Sequence, residues 1–306
     1  LAFLLCAVCV LGLIPTQAFA FSPGQKASSW LGDQYVGSDG QHYYSPAPYT
    51  YLVYNSDGTM DVRTSSGGNA YRHYMLTASD GSSQQVYCVE SGIAYNASDN
   101  TYTSESGTNS NYLNLLPSEA RRGITLTAIY GWKPGASLPV SGINEDDYKM
   151  ATQIILWEYQ QQLRSDPYSR HGNGHANAGQ YFSVIAGRPA EKAYNWILSQ
   201  VASHSTVPSF TSTKKSEAPE LELKWDTEKK IYTLTVTDTN NLKINLETLK
   251  GSGVSVTRNG NKYTFTSKNM IMDPVTFEFR KNIPVANDML IWGRPGYQTM
   301  MTGASD

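Results

Sequence analysis

The sequence predicts an α+β protein in which two β-rich regions flank a helical one. Short strands joined by Asp-Gly turns fill the segment from Tyr43 to Glu90. Helix-start signals follow at Pro117 and Asn144, and short strands with frequent turns return after residue 219. Alternation with turn residues is typical of hairpins, whereas capping residues before apolar runs are typical of helices. We therefore expect a domain with a β half and a helical half, followed by a smaller all-β domain.

The first twenty residues have the pattern of a secretory signal peptide. Residues 1–14 are apolar and uncharged, Pro15 ends the run, and Ala18-Phe19-Ala20 offers small residues at a cleavage site. The run is too short for a typical membrane-spanning helix. We expect a mature protein that begins near Phe21, and a natural chain that begins upstream of Leu1 with a basic leader.

The β half contains two predicted hairpins. Residues 49–54 and 59–64 flank the turn Asn55-Ser-Asp-Gly58, and residues 71–77 and 84–90 flank the turn Ala78-Ser-Asp-Gly81. Glycine tolerates the positive φ that such turns require. Cys88 lies in the last of these strands, where it shares a face with Val86.

The helical half begins after a polar stretch, residues 96–112, that we interpret as an exposed loop. Helices are predicted from Pro117 to about Tyr130, from Asn144 to about Leu163, and from Pro189 to Ser203. Asn144 is a capping residue, and the three acids that follow it favour the helix N-terminus. This first domain is expected to span residues 21–203.

The last part of the chain predicts a linker and a second domain. Residues 204–219 are rich in Ser, Thr, Pro and Lys, which indicates a linker. Residues 220–303 contain six short predicted strands, which favours an immunoglobulin-like β-sandwich that acts as a stalk. The strands are predicted at residues 220–225, 231–237, 253–258, 262–267, 275–281 and 288–292. We expect any wall or membrane anchor to lie beyond Asp306.

Charge and cysteine content narrow the function. A net charge of -2 gives no electrostatic footprint for nucleic acid. Of three cysteines, Cys6 and Cys9 fall in the signal peptide, so Cys88 has no cysteine partner for an internal disulfide. A lone exported thiol is a small buried apolar residue, a reactive nucleophile, or a sulfur already bonded to another atom.

Gln153 lies in a helix that is apolar on nearly every side. Met150, Leu156 and Trp157 share its face, so the helix is expected to be buried. A buried amide without hydrogen bonds costs a few kcal/mol, on the order of 2 to 3. Taken alone, the pattern favours an amide whose hydrogen bonds are satisfied within the core.

Two segments together resemble the thioester domains of Gram-positive surface proteins. Val86-Tyr-Cys88-Val-Glu90 is similar to their aromatic-Cys-aliphatic-Glu segment, and Thr152-Gln153-Ile-Ile-Leu-Trp157 is similar to their Thr-Gln helix motif. The order also matches, with cysteine on an early strand and glutamine on a later helix. One position departs from the usual Thr-Gln-x-Ala pattern, because Ile155 stands where the family commonly has alanine.

The resemblance implies a thioester between Cys88 and Gln153. The sulfur would replace the Gln153 amide nitrogen, and an amine such as a lysine of a host or matrix protein would later displace the sulfur. The expected protein is a secreted adhesin at the bacterial cell surface that forms a covalent amide with its target. Each molecule reacts once, so it is not an enzyme, and we expect no cofactor and no bound metal.

Several alternatives remain at this stage. Cys88 is also compatible with an inert core residue in a non-covalent binding or spacer protein. A hydrolase dyad of Cys88 with His171 or His175 lacks a supporting motif, and the two histidines alone do not make a metal site. Glu90, Asp146 and Asp147 are acids that could assist the thioester chemistry, but a solvated or capping role is favoured for them. Lys224 is a candidate for a cross-link in the second domain, for which a plain spacer is the default.

Overall fold

The computed structural model describes residues 21–212, 214–242, 253–273 and 286–304, and these form two compact units. The first unit ends at Val201 and resumes at Val285, and the second comprises Ala202–Pro284. The predicted signal peptide, residues 1–20, lies outside the described residues. None of the helices within the described ranges is long and apolar enough to cross a membrane.

The described strands and helices are, in chain order, β1 (Lys26–Gln34), β2 (Tyr44–Ser45), β3 (Tyr49–Tyr54), β4 (Met60–Ser65), β5 (Asn69–Ala70), β6 (Arg72–Ala78), β7 (Ser83–Cys88), β8 (Ser98–Ser106), α1 (Asn111–Leu115), α2 (Ser118–Tyr130), α3 (Glu145–Gln160), α4 (Ala190–Ser203), β9 (Lys224–Asp226), β10 (Ile231–Thr237), β11 (Ser255–Asn259), β12 (Lys262–Ser267), β13 (Leu290–Gly293) and β14 (Met300–Met301). The protein is thus a mixed α and β structure with a β-rich body and few helices.

A closed sheet of six strands forms the body of the first unit. Its order is β1-β6-β7-β14-β13-β8, and every pair is antiparallel. Both predicted hairpins are confirmed: β3 pairs with β4, and β6 pairs with β7. In the turns, the carboxylates of Asp57 and Asp80 accept hydrogen bonds from Thr59 and Ser82, which fixes the positive φ of the glycine that follows each aspartate.

The three predicted helices are confirmed as α2, α3 and α4, although α3 ends at Gln160 rather than near Leu163. A capping box starts α3, because the Asn144 side chain accepts from the Asp147 N–H while Asp147 accepts from the Asn144 N–H. The helix is buried along almost its whole length. It packs closely on α2 at Gly123, where an added Cβ would lie 2.1 Å from the Tyr159 ring.

The predicted loop at residues 96–112 is wrong for most of its length. Residues Ser98–Ser106 form β8, which lies between β1 and β13 in the closed sheet, and Asn111–Leu115 form α1. Tyr102 and Ser104 point inward while Thr101 and Thr103 face solvent.

The predicted boundaries of the second domain are wrong at both ends. Its first described core residue is Phe210, inside the predicted linker, whose ring packs on Tyr263 and Phe265. At the other end, the strand predicted at residues 288–292 is β13, which pairs with β8 of the first unit. The second unit is therefore an insertion in the sequence of the first, between α4 and β13.

The described part of the second unit contains one antiparallel sheet of four strands in the order β11-β12-β10-β9. The strands at 231–237 and 262–267 are confirmed at the predicted residues, whereas the strand predicted at 275–281 lies outside the described residues. A second layer is needed for a sandwich, so the sandwich stays a prediction. Lys224 lies exposed on β9, opposite Thr233.

Candidate functional site

Cys88 is the last residue of β7, in the interior of the closed sheet. β-branched and aromatic neighbours favour an extended chain here, and the strand pairs on one side with β6. On its other side Cys88 pairs with Met300 of β14. Only 2% of Cys88 is exposed, and it is the one cysteine within the described residues. Its burial between two strands places the sulfur in a site largely shielded from solvent.

Gln153 reaches this strand from the middle of α3. Its side-chain oxygen Oε1 accepts a hydrogen bond from the Cys88 N–H at 3.0 Å, and its Nε2 donates to the Cys88 carbonyl at 2.7 Å. Gln153 is also only 2% exposed. The two residues that the sequence pairs across 65 positions are thus in direct contact. The Cys88 N–H also polarises the Gln153 carbonyl, which makes the amide carbon more electrophilic.

Burial controls the acidity of the Cys88 thiol. Removal from water raises its pKa to about 12, and the nearby Glu90 carboxylate adds to this, while N–H groups of Glu90 and Trp157 act in the opposite direction. The Glu90 N–H lies 3.4 Å from Sγ. Trp157 follows Gln153 by one helical turn on the same face, and its buried indole N–H has no hydrogen-bond partner of normal length within the described residues. A free thiol here is protonated at neutral pH.

Aromatic rings form a wall beside the cysteine. Trp157 packs against Tyr71 and Tyr181, each with ring centroids 5.4 Å apart, and Tyr181 packs in turn on Tyr49. The Tyr181 hydroxyl bonds to the Ser91 hydroxyl at 2.6 Å, which ties the wall to the segment after β7. The chain turns at Gly92, whose φ of +86° favours glycine. The ring of Tyr51 packs so closely there that an added Cβ would lie 2.0 Å from it. These rings restrict the approach of water to the Cys88–Gln153 pair.

Thr152, the residue before Gln153, has a structural role. Its hydroxyl accepts the Trp132 N–H at 2.9 Å and donates to the Tyr148 carbonyl at 2.8 Å. The Tyr87 hydroxyl in turn donates to the Trp132 carbonyl at 2.9 Å. Thr152 thereby connects α3 through Trp132 to β7, which fixes the position of Gln153 along α3 relative to Cys88 on β7.

The remaining candidate residues lie elsewhere or act in capping. His171 and His175 are exposed in a loop, and no three His, Cys, Asp or Glu side chains cluster for a metal within the described ranges. Asp147 completes the capping box, as expected, and Asp146 pairs with His73 and the Val36 N–H. Glu90 is neither fully solvated nor a helix cap, because it is partly buried and its carboxylate accepts two hydrogen bonds from Thr299.

Thr299 is the site residue that the sequence analysis missed. Its N–H and hydroxyl donate to Glu90 Oε2 at 2.8 and 2.9 Å, and its carbonyl accepts the Val89 N–H at 3.0 Å. It lies 209 positions from Glu90 in a segment assigned to the wrong domain. The sequence did offer one signal, because Glu90 follows the buried Cys88 by only two residues. A carboxylate so close to a buried residue needs a hydrogen-bond donor, which Thr299 provides.

Comparison with known proteins gives one family match and one structural match. Residues 85–203 match the model of the family described as TED, thioester domain. The thioester domain of the Staphylococcus aureus TIE protein is similar in structure at a TM-score of 0.35 and 15% identity, over 91% of this chain and 93% of that chain. No curated protein matches the sequence. The matched residues include both Cys88 and Gln153, so the segment of the chain that holds this pair is similar to a thioester domain.

Proposed function

We propose that Cys88 and Gln153 form an internal thioester through which the protein attaches covalently to an amine on its target. The observation that carries the proposal is the reciprocal pair of hydrogen bonds between the Gln153 amide and the Cys88 backbone. These bonds hold the side-chain carbonyl carbon of Gln153 next to Cys88, and both residues lie in the segment that matches the thioester-domain family.

Thioester formation would exchange one bond for another. The Cys88 sulfur attacks the side-chain carbonyl carbon of Gln153, the bond from that carbon to nitrogen breaks, and ammonia leaves with the thiol proton. The raised pKa of Cys88 implies that the proton leaves the sulfur during the attack rather than before it. The Cys88 N–H is placed to stabilise the negative charge that develops on the Gln153 oxygen.

Attachment would consume the thioester. A target amine, such as a lysine of a host surface or matrix protein, adds to the same carbon; the bond to sulfur breaks and the thiol takes a proton from the amine nitrogen. The product is a stable amide. We further propose a secreted adhesin of the bacterial cell surface, with the second unit as a sandwich-type stalk and with single use rather than enzymatic turnover.

Intact mass of the purified protein, before and after methylamine, tests the chemistry. We expect a mass lower than the sequence mass by one ammonia, then a gain of one methylamine, and neither change in Cys88→Ala or Gln153→Met. Gln162→Met is the matched control, since Gln162 is a glutamine outside this pair. A full-length mass with a thiol that reacts after denaturation would contradict the proposal and favour a non-covalent surface binding or spacer protein.

The target is sought separately. Incubation of the wild-type protein with host cells or matrix extracts should give covalent products that survive boiling in detergent and contain a cross-link from residue 153 to a lysine. Cys88→Ala should give none. Mass spectrometry of the cross-linked peptide identifies both the partner and the reacting amine. Products that form equally with Cys88→Ala would show that the attachment does not use the thioester.

A further inference from the structure

Glu90 is the acidic side chain that lies next to the buried cysteine. It follows Cys88 by two residues, and its own N–H points at the sulfur from 3.4 Å. Unlike Cys88 and Gln153, Glu90 is only partly buried, so one side of it reaches solvent. Glu90 is therefore a residue that solvent, and with it a target amine, can reach and whose backbone contacts the sulfur.

The two carboxylate oxygens of Glu90 have different surroundings. Oε2 is held by both donors of Thr299, at 2.8 and 2.9 Å. No side chain or backbone group in the described ranges donates a hydrogen bond to Oε1. The carboxylate is thus fixed in place by one oxygen and leaves the other available to a cation or a proton.

Other titratable groups around Cys88 are unsuited to accept a proton. Burial raises the pKa values of Tyr71, Tyr74, Tyr102 and Tyr112, which all interact electrostatically with Cys88, so they stay neutral. Arg294 acts electrostatically on Tyr102, and a guanidinium group has no acceptor atom for a proton. Glu90 faces Tyr102 of β8 and Tyr112 of α1 as well as Cys88. Burial raises the pKa of Glu90, which makes it a stronger base than an exposed carboxylate.

A lysine target arrives in the wrong protonation state. With an ordinary pKa of about 10.4, only about one lysine side chain in 2,500 is a free amine at pH 7. The ammonium form has no lone pair to attack the thioester. An acceptor beside the reacting carbon removes this obstacle and also attracts the cation.

We propose that Glu90 receives the ammonium group of the target and takes one proton from it, an inference that rests on the thioester proposed above. The amine formed attacks the Gln153 carbonyl carbon, and the bond from that carbon to the Cys88 sulfur breaks. The departing sulfur takes a second proton from the same nitrogen. The products are an amide, a thiol and a protonated Glu90, which releases its proton to solvent.

The reaction rates of two amines that differ in charge distinguish a proton-accepting role of Glu90 from a purely structural one. Methylamine is a cation at neutral pH and needs the acceptor, whereas hydroxylamine is uncharged and does not. We expect Glu90→Gln to slow capture of methylamine about 10²-fold, the usual size of such proton-transfer contributions, and to change capture of hydroxylamine little. Rates are read from intact mass. Glu105→Gln, a change in β8 on a glutamate that binds Ser110 and Asn111, is the matched control.

The pH dependence of the wild-type protein gives an independent measurement, which decides the matter if Glu90→Gln fails to fold or to form a thioester. The methylamine rate should be independent of pH while Glu90 is ionised, because the ammonium form is then the reactant, and it should fall as Glu90 is protonated at low pH. The hydroxylamine rate, divided by its free-base fraction, should not fall. Thr299→Val keeps the carboxylate and should retain this difference between the amines. Equal slowing of both amines by Glu90→Gln, or parallel pH profiles, would overturn the role of Glu90. A wild-type protein without the ammonia loss would instead overturn the thioester.

Discussion

The Cys88 thiol should be far less acidic in the folded protein than in the unfolded chain. In Gln153→Met the thioester cannot form, while a side chain of similar length still fills the site. Burial raises the pKa of the thiol to about 12. At pH 8 about one thiol in 10⁴ is then ionised, compared with about one in four for an ordinary cysteine of pKa about 8.5. The thiolate population is lower by more than three orders of magnitude.

Alkylation by iodoacetamide, followed by intact mass at increasing pH, measures this shift. Since only the thiolate reacts, the rate in the folded variant should rise about tenfold per pH unit to at least about pH 11, and the rate in denaturant should level off above about pH 8.5. Restricted access lowers the folded rate at every pH but leaves its slope unchanged. A folded rate that levels off near pH 9 would refute the argument that burial dominates.

The same shift predicts a loss of stability at high pH. The folded pKa lies above the unfolded one, so the folded state holds the proton more tightly. The contribution of this group to the free energy of unfolding is complete below about pH 8.5 and is lost as the pH rises toward about 12. The melting temperature of Gln153→Met should fall over that range more steeply than that of the double variant that also lacks Cys88.

Three substitutions test the packing by chemical denaturation. Thr152→Val should cost about 1 to 3 kcal/mol because the buried Trp132 N–H loses its acceptor, and Thr152→Ser should cost less; equal losses would contradict this role. Gly92→Ala should cost about 2 kcal/mol more than Gly58→Ala, since both have similar positive φ but only Gly92 faces a ring, 2.0 Å from the added Cβ; similar losses would exclude the clash. Phe210→Ala should cost about 3 to 5 kcal/mol in the second unit, whereas a true linker residue would cost almost nothing.

Local sequence signals predicted the elements that local interactions determine. The Asp-Gly turns set the hairpins, because the aspartate carboxylate and the glycine φ are both contained within four residues. The Asn144 cap and its three acids set the start of α3 for the same reason. The pairing of Cys88 with Gln153 came from the resemblance of two motifs, since neither residue alone distinguishes a core amide from a reactive one.

Long-range pairing was beyond these signals. β8 has no apolar run, and its strand conformation depends on β1 and β13, the second of which lies almost two hundred residues away in sequence. The strand at 288–292 was predicted but assigned to the second unit, because the strands nearest to it in sequence belong to that unit. In the structure it pairs instead with β8 of the first unit. Glu90 was misread for the same reason, as its anchor Thr299 arrives with that returning segment.

The return of the chain to the first unit has a consequence for biosynthesis. Thr299, which holds Glu90, lies 209 positions downstream of it, and β14, which flanks Cys88, follows Thr299 directly. A growing chain therefore contains Cys88 and Gln153 long before it can close the sheet around them. Contacts of such sequence separation are costly in loop entropy and slow to form. Ring closure between Cys88 and Gln153 should therefore be a late event that follows synthesis of β14. A pulse-labelled nascent protein stalled before residue 286 should retain its ammonia, and loss of that ammonia should track completion of the sheet.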